Sequence, residues 1–232
     1  MRKMNIVFKR VGADTASASG GRLSPIFPGR FFHFVTLPKH LDPELFYKFT
    51  YGDVLQSKRG DHNPNTTATP LKKLREGDVL VLYAGFQNQK RSAQKLIGIF
   101  AYIVVQKAYI IDHKTRTACE FSLAGERQVD RLNKIRSVYN LCVNDFAAWN
   151  PHALPDSCST EVQQVLICGD VKLSKMLSKV EILTEAKDGE YTLNPDIAEK
   201  WGLRPVSHKR NGPRWVAQEK TKMVWTQLQR LP

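Results

Sequence analysis

Four polar side chains stand in turn-rich, polar stretches where proton transfer could be performed. Asp14 lies in GADTASASGG, Asp61 and His62 in DHNPN, and His152 in WNPH. An imidazole beside a carboxylate is suited to general base chemistry near neutral pH. The same histidines could instead cap backbone groups, because Asn63-Pro64 and Asn150-Pro151 are turn dipeptides. Other chemistries lack their patterns. No HExxH, HxxxH or carboxylate cluster occurs, so no metal is expected. Ser17, Ser19 and Ser24 lie in or beside the glycine-rich loop, but GxSxG is absent. Gly20-Gly21 would let backbone N–H groups approach a phosphate, yet no helix start follows to add its dipole. The residues specify no cofactor, and they leave open whether the protein is an enzyme.

Charge points to a partner. Lys and Arg number 35 against 22 Asp and Glu, a formal net charge of +13, and the cations cluster. Arg204, Lys209, Arg210 and Arg214 share one stretch with His208 and no acid, Lys90, Arg91 and Lys95 another, and Lys72, Lys73 and Arg75 a third. Nucleic acid, DNA or RNA, or a nucleotide is the expected partner, since each phosphate neutralised releases counterions. Lys9, Arg10 and Arg22 flank the first loop and are expected to meet phosphate; a solvated strand end is the alternative for Lys9 and Arg10. Phe86, Trp149, Trp201, Trp215 and Trp225 fall near loops or basic segments, where a ring can stack a base. Trp215, beside Arg214 after Gly-Pro, is expected to be partly exposed. A merely basic surface, or a scaffold docking an acidic protein, are the rival readings of the charge.

The elements that must hold these groups are those of a globular chain. No apolar run approaches the ~20 residues of a membrane helix, and MRKMNIVF has no signal-peptide h-region, so a cytoplasmic protein without a membrane partner is expected; the chain names no protein partner. Cys119, Cys142 and Cys168 occupy apolar positions and are predicted to be buried reduced thiols, with Cys158 in a polar loop. The central stretch reads as a hairpin. Glu76-Gly77-Asp78 is a turn, Val79–Tyr83 a strand, Gln87–Lys95 a solvated basic loop, and Leu96–Ile111 a long strand.

Around the hairpin, Asn5–Val11 and Phe31–Leu37 are predicted strands. Asp42-Pro43-Glu44 starts a short helical turn ending at Gly52-Asp53, and Gln56–Pro70 is a long polar loop. Arg116–Leu123 is a short strand. Glu126–Phe146 has apolar residues at helical intervals. Gln163–Cys168 and Val180–Leu183 are extended, with Lys172–Ser178 a turn or short helix between them. Asn194-Pro195 starts a helix through Trp201 capped by Gly202, and Met223–Leu228 is a helix or strand. The fold class expected is α+β, with a central, mostly antiparallel sheet or partial barrel and flanking helices. It is read as a single domain over 1–232, with the basic segment 203–232 packed on it.

Two resemblances add to this reading. EGDVLVLYAGF and KLIGIFAYIVV resemble the central hairpin of PUA-like domains, including the ASCH and EVE groups, in which a small barrel pocket recognises a nucleobase. Over residues 5–185 the chain resembles the third of the nucleotide-modification-associated domain families. Lys9, Arg10, Gly12, Asp14, Gly20, Gly21, Ser24, Pro25 and Ile26 match its opening. Tyr51-Gly52-Asp53, His62-Asn63-Pro64-Asn65, Gly77-Asp78, Phe100-Ala101-Tyr102 and Asn150-Pro151-His152 match its later elements. Ala101 stands where that family has Gly, Asn150 where it has His, and His62 is not followed by its Leu-Asp step. The resemblance implies a role in handling modified nucleotides, with Asp14, Asp61, His62 and His152 lining a site. The alternative it allows is a non-catalytic PUA-like reader of a base.

Overall fold

The long apolar run does form one strand. Leu96–Ile111 lies within β5 (Lys95–Asp112), and the Val79 run extends through β4 (Val79–Asn88). A computed structural model describes residues 3–10, 31–33, 49–57, 69–88, 95–122, 135–146, 161–185, 193–203 and 213–232. The chain is α+β with mostly antiparallel pairing, as its pattern predicts, and it divides into two compact units through which β5 runs.

The first unit comprises Met1–Pro38, Val79–Tyr102 and Lys175–Pro232. Its strand β1 (Ile6–Arg10) lies parallel to β4, with Ile6 opposite Val79 and Arg10 opposite Tyr83. β2 (Phe31–His33) pairs antiparallel with the far end of β4. β8 (Lys175–Glu185) pairs antiparallel with the first half of β5, and β9 (Arg214–Trp215) closes the edge beside β1. Gly98 sits at a register irregularity, where an added Cβ would collide with a Val180 methyl. Asn194 caps α2 (Pro195–Lys200) by accepting the Asp196 N–H at 2.8 Å. Gly202 ends it at φ +61°, the left-handed conformation that favours glycine. α3 (Thr221–Arg230) buries Thr221, Val224 and Leu228, the three-and-four spacing of one helix face. Beyond it the Leu231 and Pro232 carbonyls accept from Lys175 Nζ and the Ser178 N–H, tying this end of the chain to β8.

The second unit comprises Lys39–Asp78 and Ile103–Ser174. Its strands run in the order β3 (Thr50–Ser57), β7 (Glu161–Gly169), second half of β5, β6 (Thr117–Glu120), all antiparallel. α1 (Arg136–Phe146) covers one face, setting Tyr139 and Cys142 against Tyr109, Ile111, Ala118, Leu166 and Cys168. Strand order is open in each unit, without barrel closure among the described residues. The Glu76-Gly77-Asp78 turn forms as its residues dictate. Gly77 takes φ +81° and donates to the Val105 carbonyl, while Asp78 Oδ2 accepts the Arg75 N–H at 2.8 Å.

Several local expectations are corrected by pairing. Thr50–Ser57 is a strand where a turn at Gly52-Asp53 and a loop from Gln56 were expected. Its partner β7 supplies the ladder, and Gly52 fits opposite Leu166 without leaving extended backbone. Gln87, Asn88 and Lys95 are strand residues, although a loop was expected there. Lys175–Ser178 is not helical, because β8 begins at Lys175 opposite Tyr102. Ile135 exchanges both backbone hydrogen bonds with Ala118, so the helix starts at Arg136, ten residues after Glu126. The part of that prediction covering 126–134 lies outside the described residues, as do the turn at Asp42 and the loop 58–68. No described helix is long and apolar enough to cross a membrane.

Candidate nucleic-acid interface

Three of the cations that the charge pattern marks, Lys9, Arg10 and Arg214, come together at one sheet edge. β9 joins β1 antiparallel, with Val7 opposite Trp215 and Phe8 opposite Arg214. Lys9 and Arg10 continue β1 beyond that pair, so Arg214 and Trp215 come from the far end of the chain to lie beside them. Cross-strand partners share a face and neighbours alternate, which sends Arg214 to the side of Phe8 and Trp215 to the side of Val7. Both are partly exposed, as expected for Trp215. Lys9 is 3% exposed, so its side chain is turned inward rather than solvated. Asp14, Arg22, Asp61, His62, Lys90, Arg91, His152, Lys209 and Arg210 lie outside the described residues, as does Cys158.

Two other groups from the sequence reading have structural duties. Arg75 is buried, and its Nη1 donates to the Lys72 and Leu74 carbonyls at 2.9 Å each. It closes off the end of the short 3-10 turn Thr69–Lys73, while Lys73 remains exposed. Trp201, counted among the aromatics near basic segments, is fully buried against Phe8 at 6.1 Å between ring centroids. It is a core residue.

Polar chemistry inside the second unit is of two kinds. Tyr51 and Asp53 project from the same side of β3, two residues apart, and the Tyr51 hydroxyl donates to Asp53 Oδ2 at 3.2 Å. Burial, then the Asp53 charge and this bond, hold the tyrosine well above its ordinary pKa. It therefore serves as a donor and not as a base. This pair coincides with the Tyr-x-Asp element of the resemblance; composition offered no reason to choose it, since one strand face is what brings the groups together. The second kind is a clamp on the turn after β5. Asp112 accepts Gln163 Nε2 at 3.0 Å and the Thr115 N–H at 3.0 Å, and His113 Nδ1 stands 3.3 Å from the Tyr139 hydroxyl.

The thiols behave as the apolar positions of their residues predict. Cys119, Cys142 and Cys168 are buried. Burial, with the Asp145 carboxylate next, pushes the Cys142 thiol up to about 12. Burial likewise raises Cys168. Thiols so disposed are not nucleophiles at neutral pH. No group of three or more His, Cys, Asp or Glu among the described residues could hold a metal ion. No family model matches the sequence, and no curated protein or solved structure is significantly similar to it.

Proposed function

We propose that the protein is a cytoplasmic binder of nucleic acid or nucleotide that acts in the modification of bases. The observation that carries the binding is the β1–β9 edge. There the partly exposed Trp215 and Arg214, the latter with its Nη1 buried, form one two-residue strand beside the end of β1 at Arg10, while Lys9 is turned inward. Arginine neutralises phosphate and an aromatic face stacks bases of any identity. β9 follows directly on Arg204, Lys209 and Arg210 in the sequence, which extends the positive charge along the chain. Burial of Cys142 and Cys168 as thiols agrees with a reducing compartment.

The role in base modification rests on the resemblance to the nucleotide-modification-associated family, through Asp14, Asp61, His62 and His152. Alanine at His62 or at His152 is expected to abolish turnover or ligand binding while leaving the melting temperature within about 2 °C of the parent. A loss of stability without a functional defect would return both histidines to turn capping. The second reading is a non-catalytic reader in the PUA manner. It predicts that the same variants change affinity for a probe while no turnover exists in the parent.

A further inference from the structure

A groove of about 450 Å³ lies in the first unit, between the start of the chain and the side of α3. Lys3 and Met4 form one wall, and Gln218 Nε2, also in the lining, donates to the Met4 carbonyl at 3.0 Å. Thr221 and Trp225 form the other wall, one turn apart on α3. Trp225 is held by a T-shaped contact with Tyr102, at 5.7 Å between centroids and 82° between planes. Lys3 and Lys222, both exposed, flank the apolar wall, and Glu219 is the acid at its rim.

We infer that this groove binds a single nucleotide, free or at the end of a strand, with its base on Trp225 and its phosphate between Lys3 and Lys222. The volume lies in the range of small-molecule sites. A wall that is mostly apolar with one indole suits a flat heterocycle, and the two ammonium groups suit a compact anion. Against them, Glu219 leaves one net positive charge, which disfavours a chain of phosphates more than a single phosphate. Its carboxylate is also an acceptor for an exocyclic amine or a sugar hydroxyl. The site uses none of the residues of the β1–β9 edge, so either can fail without the other.

The test is titration of the full chain with AMP, adenosine and inorganic phosphate, followed by calorimetry and tryptophan fluorescence. AMP is expected to bind at least about tenfold more tightly than either fragment, since stacking and a charge-assisted bond add. Lys222→Glu is expected to weaken AMP about tenfold or more while leaving adenosine unchanged. An acid in the first turn of α3 complements the helix dipole, so that variant keeps its fold. Trp225→Leu is expected to weaken AMP and adenosine alike. AMP binding no tighter than phosphate, indifference to Lys222→Glu, or displacement only by an acidic aromatic peptide would overturn the inference.

Discussion

Replacing Trp201 with alanine is expected to lower the free energy of unfolding by about 3–5 kcal/mol, measured by denaturant titration. Trp201 is wholly buried and is the largest such side chain among the described residues. Its ring meets Phe8 edge-on at 67°, and Phe8 in turn lies 6.5 Å from Tyr83, so three aromatic rings run from α2 across β1 to β4. Aromatic pairs add about 0.5–1.5 kcal/mol to the area they bury. The neighbouring contributions are smaller. Lys200 sits 5.3 Å from the Trp201 ring and also pairs with Glu181, but it is half exposed, and such pairs add about 1 kcal/mol or less. A loss below about 1 kcal/mol would contradict the assignment of Trp201 to the core and restore it as a candidate for base stacking. Phenylalanine in its place should recover part of the stability, because the edge contact with Phe8 needs only a ring.

Gly169→Ala is expected to cost about 1–3 kcal/mol, although alanine is ordinarily the better strand residue. The reason is space. A Cβ at this position would stand 2.6 Å from Ile103 Cγ2, 2.8 Å from Ser174 Oγ and 3.0 Å from Phe49 Cβ. None of these neighbours yields easily. Ile103 is fully buried, and the Ser174 hydroxyl is engaged with the Val104 N–H at 3.0 Å. Phe49 has φ +47°, a left-handed backbone unusual for a bulky residue, and its carbonyl accepts the Gly169 N–H at 2.9 Å. Backbone at the entry to β3 and at the end of β7 is therefore locked together, and a methyl group between them must move one or the other. A variant as stable as the parent in thermal unfolding would show that this junction relaxes freely.

What the sequence made readable was chemistry local to a few residues. The Glu76-Gly77-Asp78 turn, the Asn194 cap and the Gly202 stop each depend on side chains within four positions, and each formed as predicted. Buried thiols followed from apolar spacing. Errors came where a distant strand decides. Thr50–Ser57 carries Gly and Asp, which favour turns in isolation, and only β7 makes it a strand. Lys175–Ser178 looks like a polar turn until β5 supplies its ladder. The candidate interface was half visible for the same reason. Clustered cations marked both Lys9-Arg10 and Arg214-Trp215, but pairing of opposite ends of the chain placed them side by side. Of the groove on α3 only Trp225 was marked, as one of the aromatics near basic segments, because Lys3 and Lys222 share no local pattern.

The central claim, that the chain binds a polyanion through its clustered cations, is tested most directly by the salt dependence of binding to a labelled single-stranded oligonucleotide. The logarithm of the binding constant should fall linearly with the logarithm of salt. Lys209→Ala with Arg210→Ala should reduce that slope by about 0.7 for each phosphate the pair no longer neutralises. No binding at low salt, or an affinity indifferent to salt, would contradict it.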